Sequence, residues 1–321
     1  MEITAQELSG LELQANEKVI AFLKAQGRIF QQPEFLYAQP GELKVFWVEE
    51  NGVICGALPL VLTKRFKIHG GHIPPYAHFF GPILDSNRKS DEGKILSILL
   101  DCISGLPFVE LKIHLQDSDI LEYVKRGALV RASQSHIVLE NQTYDLASIH
   151  PSKRRYLKKL LTRLEKGDLR LTEGDEALDD LISLQKETGL KSGFNPSLPI
   201  LKNILENLSK ESYFALVLKT GSGELLSGAF CPFDRISAYH IINASLPHAD
   251  PILNRSNILS TFLAVKKAND MGLNFDFEGS NIPGVANFYR MMGGQPFLMH
   301  RIQFTNSIPA KLLMSLKNLK S

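Results

Sequence analysis

Apolar and polar side chains alternate along Leu273-Asn-Phe-Asp-Phe-Glu278, with Leu273, Phe275 and Phe277 set against Asn274, Asp276 and Glu278. A period of two predicts a strand with one buried face. Gly279-Ser280-Asn281 breaks that strand, and Pro283 can open a helix without needing its missing N–H. Val285, Phe288, Met291 and Met292 follow at helical spacing, and Gly293-Gly294 supplies the stop. The same plan occurs earlier in Phe108-Val-Glu-Leu-Lys-Ile-His-Leu115, then Asp117 to Arg126, then Gly127-Ala-Leu129. Leu121 and Phe288, and Gly127 and Gly294, are both 167 residues apart.

The likeness extends upstream. Val45 to Leu60 predicts two strands joined at Asn51-Gly52, residues that both tolerate positive φ. Tyr213 to Phe230 repeats the plan around Gly221-Ser-Gly223, and the apolar helix Lys94 to Ser104 answers Ile258 to Met271. Four likenesses in one order predict a tandem duplication of one α/β unit, with residues 1–148 as the first copy and 149–321 as the second.

Between the copies lies the most charged stretch, His150 to Arg170, with eight cationic side chains against two carboxylates in a chain of net charge +2. Pro151 starts a helix over 151–167, in which Tyr156, Leu160, Leu161 and Leu164 bury one face. Arg154, Arg155 and Lys158 then form a landing site for a phosphate-bearing substrate or RNA, or else a solvated face. Ile236 to Ser245 predicts a further strand, on which Tyr239, His240 and Asn243 are polar groups able to reach a cleft. The start of the helix from Ile258 offers free N–H groups to an anion, with Asn254, Arg255 and Ser256 as side-chain helpers.

Composition narrows the classes. At 321 residues and 44% hydrophobic content, each copy can bury its own core. No apolar run has the length of a membrane-spanning helix, and the acidic Met1-Glu-Ile-Thr-Ala-Gln-Glu start is unlike a secretion signal, so a cytoplasmic location is expected. Cys55, Cys102 and Cys231 stand singly and read as buried thiols. His69, His72 and His78 lack a carboxylate or Cys at ligand spacing, so no metal is expected. Pro309 to Lys320 predicts a small basic amphipathic helix, suited to peripheral contact with anionic lipid or to docking on its own domain.

This order of elements, with Asn281, Ala286, Phe288-Tyr289 and Gly293 as spaced, resembles the GNAT acyltransferase fold. The doubled unit, the basic Ser152–Lys159 segment and Phe275-Asp-Phe-Glu-Gly-Ser280 together resemble the Fem-type (FemABX-like) aminoacyltransferases. The resemblance implies an α/β (α+β) fold of two tandem GNAT-like units, each a mixed, mostly antiparallel twisted sheet flanked by helices. It implies acyl transfer from a thioester or ester donor to an amine acceptor, such as a peptide or sugar-nucleotide envelope precursor, with the site in the cleft between or beside the two units. Because only Glu122-Tyr123 answers Phe288-Tyr289, the second unit is expected to be the active one, with a substrate groove in the first. Tyr289 then matches the tyrosine that protonates the leaving group, Glu278 or Asp276 would take the amine proton, and backbone N–H groups near Tyr239 to Asn243 would hold the oxyanion. Asn281 joins Asn254, Arg255 and Ser256 in donor binding.

The donor stays open between acyl-CoA and aminoacyl-tRNA. The glycine-rich pyrophosphate loop of acetyl-CoA enzymes is replaced by Asp250-Pro-Ile-Leu-Asn-Arg-Ser256, and no long tRNA-binding coiled coil is present. An acetyl-CoA-dependent N-acetyltransferase and a non-catalytic binding protein on the same fold are the alternatives.

Overall fold

The computed structural model describes residues 3–65, 68–114, 120–192, 197–279 and 282–307. The chain parts into two compact units, Met1–Ser133 with Leu298–Ser321, and Gln134–Phe297. The division therefore falls inside two strands rather than at the expected 148/149. The segment 134–148 goes with the second unit, and the end of the chain from Leu298 goes with the first.

The first unit holds β1 (Ile3–Ser9), α1 (Gly10–Ala15), α2 (Glu17–Gln26), α3 (Pro33–Tyr37), β2 (Glu42–Glu50), β3 (Val53–Arg65) and β4 (Ile68–His72). Then come β5 (Ile83–Leu84), α4 (Glu92–Cys102), β6 (Phe108–His114), α5 (Ile120–Lys125) and the start of β7 (Leu129–Val138). The β2–β3 hairpin turns at Asn51 and Gly52, with φ of 51° and 80°, the left-handed pair its sequence demands. β14 (Gln295–Thr305) pairs antiparallel with β6, so the strand ending the second repeat completes the first unit's sheet. The helix α4 packs its Ile95, Leu96, Leu99 and Leu100 face onto β2 and β3.

In the second unit, α6 (Pro151–Glu165) leads to β8 (Leu169–Glu173), α7 (Leu178–Ser192) and α8 (Leu198–Asn207). The strands β9 (Tyr213–Thr220) and β10 (Leu225–Pro232) are buried almost throughout, because α7 and α9 (Ser256–Asp270) both pack against them. They read as continuous apolar runs for that reason. The predicted strand from Ile236 to Ser245 is two, β11 (Ser237–Tyr239) and β12 (Ile242–Ser245). The sequence-predicted repeat is present as β6–α5–β7 and β13 (Asn274–Gly279)–α10 (Pro283–Met291)–β14. β7 pairs antiparallel with β13, β11 runs parallel to β13, and β12-β10-β9-β8 form a separate antiparallel sheet. The unit's core gathers Leu157, Leu160, Leu218, Ile258, Phe275, Phe277 and Met292.

The predicted helix Pro309 to Lys320 lies outside the described residues.

Candidate active site

The β11–β12 break opens the site. Ser237–Tyr239 bonds to β13, and three residues later the same chain bonds to β10. One strand thus leaves one sheet for the other, and each half is the edge strand of its own sheet. At the crossing, the His240 N–H donates to the Asp276 carbonyl at 2.9 Å, and the Ile241 N–H donates to the Tyr239 carbonyl at 2.9 Å. These two amides are engaged, so the oxyanion donors expected here come down to the unpaired side of β12. The helix α9 packs across both β10 and β13, one from each sheet.

Beside this opening, β13 carries a bulge. Asp276 pairs with Ile137 and Gly279 with Ser135, which leaves Phe277 and Glu278 opposite His136 alone. Glu278 takes the left-handed region, with φ of 68°. Its N–H donates to Asp276 Oδ1 at 2.8 Å, and the Ser135 hydroxyl donates to the same oxygen at 2.5 Å. Asp276 is 1% exposed. It ties the bulge together and is sealed from substrate.

Tyr289, on α10, lies with its ring stacked on Phe277 at 4.8 Å and 6.0 Å from the His136 ring. Gly294 also lies against these two residues: a Cβ there would come within 2.9 Å of the Phe277 ring and 3.1 Å of His136 Cβ. Burial pushes the Tyr289 phenol above the ordinary tyrosine range, and the charges of Glu278 and then Asp276 push the same way; a hydrogen bond with Asn243 opposes them. Glu278, Asn243 and Tyr289 are therefore neighbours in space. Burial lowers the His136 pKa, with Arg290 adding to the shift and Asp276 opposing it. The imidazole is neutral at neutral pH.

A second cluster lies on α6. Lys153 Nζ stands 5.3 Å from the Phe288 ring centre, and both Arg155, at 5.3 Å, and Arg255, at 5.8 Å, lie over Tyr156. Desolvation and then Arg255 lower the Lys153 pKa, while the Arg155 side chain, bonded to the phenol, lowers that of Tyr156. Arg163 pairs with Asp250 at 2.7 Å, but among the described residues no carboxylate pairs with Lys153, Arg155, Lys158, Lys159 or Arg255. At the start of α9 the N-cap, Arg255, makes no side-chain capping bond, and the first turn has no acidic residue. Ser256, 1% exposed, has no hydrogen-bond partner for its hydroxyl among the described residues.

No family model matches the chain, and no curated protein does. Solved structures do match. FemX superposes with a TM-score of 0.69 at 14% identity, over 93% of this chain and 96% of its own. The fold is the tandem GNAT fold of the Fem type. L-PGS from Bacillus licheniformis matches at a TM-score of 0.59 and 13% identity, over 94% and 95% of the two chains. A tandem GNAT protein from the clavulanic acid biosynthesis pathway matches at 0.55 and 10%, over 95% and 99%.

On this tandem GNAT fold seven of the residues singled out in the sequence form two groups. Tyr289, Glu278 and Asn243 come together at the splayed strand, and Arg155, Lys158, Arg255 and Ser256 lie on α6 or at the start of α9. The others are used by the fold. The Arg154 guanidinium donates to the Ile149 carbonyl at 3.1 and 2.9 Å and to the Ala147 carbonyl at 2.9 Å, which ties it to the turn before α6. Tyr239 donates its hydroxyl to Asp234 Oδ2 at 3.0 Å, and that carboxylate also holds the Ile236 and Ser237 N–H groups. The His240 ring is walled in by Phe275 and Phe277. Asn254 accepts the His248 N–H at 3.1 Å. Asn281 lies outside the described residues. Sequence reading passed over Ser135 and His136, which end a polar run, Ser133-Gln-Ser-His136, just before the apolar Ile137-Val-Leu139 and carry no local signal of their own.

Proposed function

We propose that this protein is an acyltransferase of the Fem/GNAT type, moving an acyl or aminoacyl group from a thioester or ester donor to an amine acceptor. The observation that carries the reading is Tyr289 and Glu278 beside the strand that leaves one sheet for the other. The amine nitrogen attacks the acyl carbon, and its proton passes to the Glu278 carboxylate. Amides on the unpaired side of β12 hold the tetrahedral oxyanion. As the C–N bond completes and the C–S or C–O bond breaks, Tyr289 gives its proton to the leaving atom. The raised phenol pKa keeps that proton in place until then.

For the donor, the uncapped start of α9 with Arg255 and Lys153 suits phosphate, which both acyl-CoA and aminoacyl-tRNA carry. A peptide or sugar-nucleotide envelope precursor is the acceptor class we favour, and a cytoplasmic location fits such substrates. Thermal-shift measurements with acetyl-CoA, longer acyl-CoAs and aminoacyl-tRNA separate the donors, since the true one raises the melting temperature. Tyr289→Phe is expected to lower turnover with that donor by about 10²-fold while donor binding is kept. Unchanged turnover removes the assigned role. Stabilisation by neither donor, but by an acceptor alone, points to a binding protein on the same fold.

A further inference from the structure

Among the described residues, three that are not glycine have positive φ: Asn51, Tyr76 and Glu278. Asn51 sits in a hairpin turn that calls for it. Glu278 does not; its Cβ meets the backbone strain that glycine escapes. Such a conformation persists only where the surroundings over-determine it.

One part of the surroundings is a buried carboxylate. Asp276 Oδ1 accepts both the Glu278 N–H at 2.8 Å and the Ser135 hydroxyl at 2.5 Å. The Asp276 carbonyl takes the His240 N–H at 2.9 Å, which fixes the same residue to the crossing strand. Asp276 thus faces β7 with its side chain bond and β11 with its backbone, and it is 1% exposed. A base must meet the amine proton, and a carboxylate so enclosed cannot. The neighbouring Glu278 is half-buried, and its charge is felt by the Tyr289 phenol.

We propose that Asp276 and Ser135 are positioning residues, a clamp that holds the Glu278 backbone left-handed in the β13 bulge and keeps its carboxylate beside Tyr289. The clamp makes one base out of two candidate carboxylates, and glutamate stays at 278 at a cost in stability. The inference rests on the acyl-transfer reading for its catalytic consequence, while its structural part can be read without substrate.

Two measurements test it. In thermal unfolding, Glu278→Gly is expected to melt about 2 °C above Glu278→Gln, because only glycine releases the strain while both remove the charge. Equal or lower melting overturns the clamp, whatever the chemistry. In steady-state kinetics with the donor that the wild-type protein turns over, acetyl-CoA or an aminoacyl-tRNA, Ser135→Ala is expected to lower kcat by about tenfold and leave KM within about twofold. Asp276→Asn, which keeps an acceptor at Oδ1, is expected to recover most of the activity that Asp276→Ala loses. If Asp276→Asn is as inactive as Asp276→Ala, Asp276 acts through its charge and the positioning role falls. If the wild-type protein transfers from no donor, the acyl-transfer reading falls, and the melting comparison still decides the clamp.

Discussion

His240 shows what the splayed strand asks of a single side chain. Its ring lies 5.3 Å from Phe275 and 6.3 Å from Phe277, and neither ring nitrogen has a hydrogen-bond partner among the described residues. Burial pushes its pKa down to about 3, from the 6.5 of a free imidazole. Between those two values the unfolded chain binds a proton that the folded protein refuses. Stability is therefore unaffected by His240 above pH 6.5 and falls as the pH drops toward 3. At pH 5 the loss is about 2 kcal/mol relative to pH 7.5, at 1.36 kcal/mol per unit. Urea unfolding at both pH values checks this. In His240→Phe, which matches the two phenylalanines around it, that part of the acid sensitivity should vanish. If the variant loses as much stability as the wild type, the ring has a proton partner in the folded state.

At the scale of elements, α10 is held to the site by a close approach of backbone as well as by bonds, the His150 N–H donating to the Met291 carbonyl at 2.9 Å and the Tyr144 hydroxyl to the Met292 carbonyl at 2.8 Å. Gly294 lets Phe277 and His136 approach to distances that a Cβ would violate. Gly294→Ala is expected to cost about 1–3 kcal/mol by denaturant unfolding and to disturb the Phe277–Tyr289 stack. The beginning of α6 is held differently, by Arg154 on the Ala147 and Ile149 carbonyls, so Arg154→Ala should cost roughly 1–2 kcal/mol and leave donor affinity unchanged. A loss of affinity instead would return Arg154 to the ligand. These elements were legible one at a time, because the period of β13, Pro283 and the Gly293-Gly294 stop are local signals. The splay of 236–245 was not, since alternation reads the same whether a strand keeps its partner or changes it midway. Nor was the Ser135–Asp276 bond, whose ends are 141 residues apart in sequence.

Over the whole molecule the duplication was legible from the repeated order of elements, but the boundary was not. Each repeat's last strand pairs outside its own copy, β14 with β6 and β7 with β13, and sequence order carries no trace of that exchange. The charge imbalance was equally visible, and what it binds is a question about long-range electrostatics. Among the described residues no carboxylate pairs with Lys153, Arg155, Lys158, Lys159 or Arg255, and Lys153, Arg155 and Arg255 lie over aromatic rings. An aminoacyl-tRNA contacting about four phosphates there would release that many counterions, and its affinity should fall roughly 100-fold between 50 and 200 mM salt. Acyl-CoA brings its phosphates on one small ligand and should weaken far less over the same range. With tRNA as donor, the double variant Arg155→Ala, Lys158→Ala should flatten the log–log salt slope by about 1–2, and binding measured across that range reads the slope directly. A slope that the variant leaves alone would make α6 a solvated face, and the donor would then rest on the start of α9.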